Sequence, residues 1–81
     1  MDDVPYSKNI SRVKQGYVIR KTKNNHYLYY GCWTNFWECV EVRNKLERLD
    51  FPVFLSVDVV GKHGDDYNSW LLDYLWRVYG L

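Results

Sequence analysis

The chain has 81 residues, with 11 Lys and Arg against 10 Asp and Glu, and its four Trp, eight Tyr and three Phe are the large side chains that can stabilise so short a polypeptide. One domain of this length buries only about 60–65% of its unfolded surface, so residues 1–81 are read as a single domain that depends on its aromatics. No apolar run approaches a membrane span and no secretory leader is recognisable, which points to an intracellular protein, cytoplasmic or associated with nucleoid or nucleus, without a membrane partner.

Cys32 and Cys39 are too few for the disulfide framework of a small secreted domain, and with the isolated His26 and His63 they miss the close pairs of a structural zinc site. Cys39 is expected in the core and Cys32 at a strand end. No metal and no cofactor are expected. Asp58, Lys62, Asp65 and Asp66 surround a Gly-rich loop without matching a metal or phosphate motif, and no nucleophile has an adjacent base, so the chain does not read as an enzyme.

Charge is unevenly distributed. Between Val4 and Trp37 stand Lys8, Arg12, Lys14, Arg20, Lys21 and Lys23 without one Asp or Glu, whereas eight acids against five basic residues follow from Glu38 onward. Such polarity steers acidic partners, and the interleaved Tyr17, His26, Tyr27, Tyr29 and Tyr30 supply surfaces for bases or sugars.

In chain order, residues 9–15 alternate loosely as a first short strand before Gly16. Tyr17 to Thr22 and Tyr27 to Tyr30 are rich in β-branched and aromatic residues and flank Asn24-Asn25, which marks a hairpin. With a two-residue turn, Arg20 pairs with Tyr29, Thr22 with Tyr27 and Ile19 with Tyr30, so Arg20, Thr22, Tyr27 and Tyr29 share one face. A three-residue turn would bring Lys21 out in place of Arg20. Asn35 and Glu38 form a capping box, after which Phe36, Cys39, Val42, Leu46 and Leu49 make an apolar stripe that ends near Asp50, before Pro52. Arg43 lies at the edge of that stripe and is read as snorkelling. Residues 53–60 alternate as a fourth strand with Val53, Leu55, Val57 and Val59 on one face. A last helix spans about 67–79 and stops at Gly80; its polar stripe is only Ser69, Asp73 and Arg77.

The run from Tyr30 through Gly31, Trp33, Asn35 and Glu38 to Cys39 and Val40 resembles the DNA-binding domain of the plant apetala and ethylene-response-factor transcription factors and the related arm-binding domains of phage and transposon integrases. Their motif is Leu-Gly-Thr-Phe-Asp-Thr-x-Glu-Glu-Ala-Ala. Tyr30 stands at the Leu, Gly31 at the Gly, Trp33 at the Phe, Asn35 at the capping Thr, Glu38 at the second Glu, and Cys39 and Val40 at the two Ala. The likeness covers residues 8–50; Trp37 replaces the first Glu, Tyr17 stands where many members have Trp, and the last thirty residues match nothing in the family. It implies a three-stranded sheet braced by one helix, with the other sheet face in the DNA major groove.

The fold expected is therefore α+β: a small three-stranded antiparallel sheet on one amphipathic helix (8–50), followed by an extra strand and a C-terminal helix (51–81). The function expected is nucleic-acid binding, with duplex DNA favoured over single strands or RNA, in an integrase-like or transcription-regulating role. Arg12 and Arg20 are candidates for base contacts, Lys8, Lys14, Lys21 and Lys23 for phosphates, and Thr22, Tyr27 and Tyr29 complete the surface. Six phosphate contacts would give a slope of log affinity against log salt of about −5. The alternative is an interaction module in which Trp70, Leu72, Trp76 and Tyr79 of the last helix contact a partner, a second copy or a downstream domain.

Overall fold

The computed structural model describes residues 8–81, so Asp2 and Asp3 lie outside it. Strands β1 (Ile10–Val13), β2 (Gly16–Lys23) and β3 (His26–Trp33) form an antiparallel sheet in chain order. Asn24 and Asn25 take φ of 51° and 67°, the left-handed pair that a two-residue hairpin turn requires. The register follows from that turn: Lys23 opposes His26, Thr22 opposes Tyr27 and Arg20 opposes Tyr29.

Further along, the pairing shifts. Val18 faces Cys32 and Tyr17 faces Trp33, so Tyr30 and Gly31 together stand opposite Ile19 as a β-bulge, in place of the simple Ile19 to Tyr30 pair. The extra residue inverts the alternation of β3. Tyr27 and Tyr29 stay on the open face, whereas both Tyr30 and Trp33 turn into the core, 0% and 2% exposed.

Gly31 makes this geometry accessible, with φ of 85° and no side chain where α3 crosses: an added Cβ would stand 2.6 Å from Asn68 Oδ1 and 2.9 Å from Tyr67 Cδ2. Gly31→Ala is expected to cost about 2–4 kcal/mol, from the left-handed backbone and from displacing a buried ring. Urea denaturation of the variant measures it; a loss below about 0.5 kcal/mol would mean that the bulge relaxes freely.

Helix α1 (Phe36–Arg48) begins where Asn35 accepts the Glu38 N–H through its side chain at 3.0 Å. It ends in a Schellman motif: Phe51 N–H reaches Leu46 O at 2.8 Å and Asp50 N–H reaches Glu47 O at 3.0 Å. Asp50 and Phe51 both take positive φ to close it, and Phe51 is then buried against the Tyr30 ring. Arg43 is buried, not snorkelling: its guanidinium donates to Lys8 O at 2.7 Å and to Asn44 Oδ1 at 2.9 Å, tying the start of the described chain to α1.

Residues 53–60 are not a strand. Val53–Leu55 form a 3-10 turn and Val57–Val60 a short helix, α2. Leu55, Ser56 and Val57 are buried consecutively while Val53 and Val59 are exposed, which no period-two pattern allows. Two side chains fix the turn: Tyr30 Oη donates to Pro52 O at 2.9 Å and Tyr67 Oη to Leu55 O at 2.6 Å. The outer edge of β3 is also engaged, because Asn68 Nδ2 donates to Cys32 O at 2.8 Å.

Helix α3 (Gly64–Tyr79) starts three residues before the expected position and stops at Gly80 in the left-handed conformation. Tyr67, Leu71 and Leu75 are fully buried and join Ile19, Leu28, Tyr30, Trp33, Cys39 and Leu46 in one cluster. The core thus lies between one face of the sheet and the helices. Among the described residues no helix crosses the opposite face.

Candidate nucleic-acid interface

Strand alternation and the bulge place Ser11, Val13, Val18, Arg20, Thr22, Tyr27, Tyr29 and Cys32 on the open face. Arg20 is exposed near the hairpin end. Its Nη2 donates to Ser11 Oγ at 2.6 Å and its guanidinium carbon lies 5.8 Å from the centre of the Tyr27 ring, so neighbours on both flanking strands restrain it. Tyr27 is 56% exposed and Tyr29 half-buried. Burial pushes the Tyr29 hydroxyl above its ordinary pKa, with Cys32 and Tyr27 adding to the effect and Arg20 opposing it. It is a neutral hydrogen-bonding group at physiological pH.

A shallow groove of about 620 Å³ runs over this face, with Val18, Tyr29 and Cys32 in its lining, and it reaches from Arg20 and Tyr27 to Thr34 and Asp65 at the start of α3. The last helix borders the groove at one end and does not fill it.

The other basic candidates are elsewhere. Arg12 is exposed but pairs with Tyr17, which pairs in turn with the buried Trp33, so it projects from the covered face at the outer edge of β1. It is not placed beside Arg20 as a second base reader. Lys21 and Lys23 also alternate away from Arg20. Lys21 Nζ lies 5.3 Å from the centre of the Phe51 ring, and Lys23 Nζ donates to the Asp50 carbonyl and forms an ion pair with Asp50 Oδ2 at 3.1 Å. Lys14 is exposed in the β1–β2 turn, and Lys8 is exposed next to α1, where Arg43 holds its carbonyl. The six basic residues therefore do not form one surface. Arg20 alone of the six stands on the open face, with Lys14 in the turn at its margin.

Among the proposed partner contacts of α3, Trp76 and Tyr79 are exposed, at 68% and 38%, together with Val78 at 55%. Trp70 and Leu72 are half-buried against the core, and Trp70 packs between Tyr67 and Tyr74 with ring centres 6.0 and 5.2 Å away. Helical periodicity puts Leu72, Trp76 and Tyr79 on one flank and Trp70 on the other.

The two thiols differ. Cys32 is half-buried on the open face, whereas Cys39 is wholly buried and its pKa is pushed up to about 12, mainly by burial, with Arg43 opposing and Cys32 and Glu38 adding. Among the described residues no group of three or more His, Cys, Asp or Glu is placed to hold a metal, and no helix is long and apolar enough to cross a membrane. Comparison with protein-family models, curated proteins and solved structures gives no match for this chain.

Proposed function

We propose that this chain is a nucleic-acid-binding module that presents the β2–β3 face to duplex DNA, lodging the sheet in the major groove as integrase arm-binding and transcription-factor domains do. The observation that carries the reading is the open face itself. The described helices pack their buried residues behind the sheet, and only the first turn of α3 reaches the edge of the front face, where Arg20, Thr22, Tyr27 and Tyr29 stand together with the arginine held by Ser11 and Tyr27. A planar guanidinium restrained on the exposed side of the sheet suits the O6 and N7 acceptors of guanine, and the tyrosines suit sugars or a thymine methyl.

With Arg20 on the open face and Lys14 in the turn at its margin, log affinity for a short duplex should fall against log salt with a slope of about −2, shallower than the acid-free segment alone suggests. Arg20→Ala should cost about 1–3 kcal/mol of binding, while Lys23→Ala, on the covered side, should leave affinity nearly unchanged. Titration at two salt concentrations measures both. Equal losses from the two substitutions would remove the open face as the binding surface.

A second reading has its own support in the exposed Trp76 and Tyr79, which share one flank of α3 with Leu72 and suit a homodimer or a partner protein. Sedimentation with and without the duplex separates the two. A heavier species without DNA that Trp76→Ala abolishes favours the interaction module, whereas a shift only on adding duplex favours nucleic-acid binding.

A further inference from the structure

The groove on the open face is lined by two charged residues of opposite sign. Arg20 stands toward the hairpin end, beside Tyr27, and Asp65 stands toward the other end, beside Thr34, contributed by the first turn of α3. Val18 and Cys32 lie between, so the path from one charge to the other is largely apolar.

A sugar–phosphate backbone lying along this groove would be attracted at Arg20 and repelled at Asp65. Base edges fit both ends. In the major groove guanine offers O6 and N7 acceptors to an arginine, and cytosine offers its N4 amino group to a carboxylate, which only accepts. We propose that Asp65 is a specificity-determining residue of this face, accepting a hydrogen bond from a cytosine N4 amino group at a fixed spacing from the guanine that Arg20 contacts. The inference rests on the nucleic-acid reading above and names what that surface discriminates. Asp66 adjoins Asp65 in the same helical turn but is absent from the lining of the groove, which makes it a matched comparison.

The test is selection from a pool of randomised short duplexes by the parent chain, Asp65→Ala and Asp66→Ala, followed by titration of the selected duplex and of its single-position variants. The parent should enrich a guanine and a cytosine at constant spacing. Asp65→Ala should keep the guanine and lose about tenfold discrimination at the cytosine, and Asp66→Ala should select as the parent does. A uniform tightening on every duplex by Asp65→Ala would show that Asp65 only repels phosphate, and unchanged preferences would show that it touches nothing; either overturns the proposal. Binding without any sequence preference overturns it while leaving the nucleic-acid reading in place. Failure of the parent to bind duplex at low salt removes both.

Discussion

Trp33→Ala is expected to remove about 3–5 kcal/mol of stability, against roughly 4–12 kcal/mol for a chain of this length. Trp33 is 2% exposed and lies in the cluster that joins Ile19 and Leu28 of the sheet to Cys39 of α1 and to Tyr67 and Leu71 of α3. Removing the indole leaves a large void among residues of the sheet, α1 and α3, which the surrounding core can fill only in part. A second loss accompanies it: Trp33 Nε1 donates to Tyr30 O at 3.0 Å inside the bulge, and that carbonyl would be left without this donor in a buried position. Trp33→Phe keeps most of the ring and loses the donor, so it should cost roughly 1–3 kcal/mol. Trp76→Ala, at 68% exposure, should stay within about 0.5 kcal/mol. Urea midpoints for the three variants give the ranking. A Trp33→Ala midpoint close to that of Trp76→Ala would refute the placement of Trp33 in the core.

Trp33 also shows how much of the architecture local chemistry reveals. The hairpin turn, the Asn35 cap and the register of Arg20 with Tyr29 follow from residues within a few positions of one another, and each is where the sequence indicates. The bulge has one short signal, a lone Gly31 inside a strand pattern, which commonly marks an extra residue. Strict alternation from Tyr27 and Tyr29 would put Trp33 on the open face.

Residues 53–60 carry no decisive local signal, because a short apolar run fits a strand and a buried helical turn equally well. Ser56 before the run and Gly61 after it were the available helix boundaries, and Gly61 does take the left-handed C-terminal position. What decides the matter lies far away in sequence, in the hydroxyls of Tyr30 and Tyr67 that hold Pro52 and Leu55.

The acid-free segment does not make one cationic face, for a related reason. Adjacent residues on a strand point to opposite faces, so Arg20 and Lys21 could never both meet a ligand on one side, and a segment without acids is not yet a cationic face. Lys23 finds its anion 27 residues later in Asp50, and Asp65 reaches the groove from a helix 45 residues beyond Arg20. Neither relation has a local signature.

Alkaline solution should unfold the domain more steeply than its near-neutral charge suggests. Burial pushes the Tyr67 phenol well above its ordinary value, with smaller contributions from Tyr30 and Tyr29; it does the same to Tyr30, with Asp50 adding, and it raises Cys39 to about 12. All three acids keep their protons in the folded chain at pH values where an unfolded chain releases them. Their contribution to stability is therefore complete below about pH 8.5, where thiols and phenols are protonated in both states, and it is lost as the pH rises through the unfolded values of about 8.5 for the thiol and about 10 for the phenols. Above about pH 10 the folded state holds up to three more protons, and stability should fall by as much as about 4 kcal/mol per pH unit, enough to exhaust a marginal domain within one to three units. The urea midpoint measured from about pH 8 to 11, together with tyrosinate absorbance, checks this. The midpoint should drop in step with a late, cooperative rise in tyrosinate signal. A midpoint that stays level to about pH 11 would mean that Tyr30, Cys39 and Tyr67 are not sequestered from water, and the core that holds the open face in place would have to be redrawn.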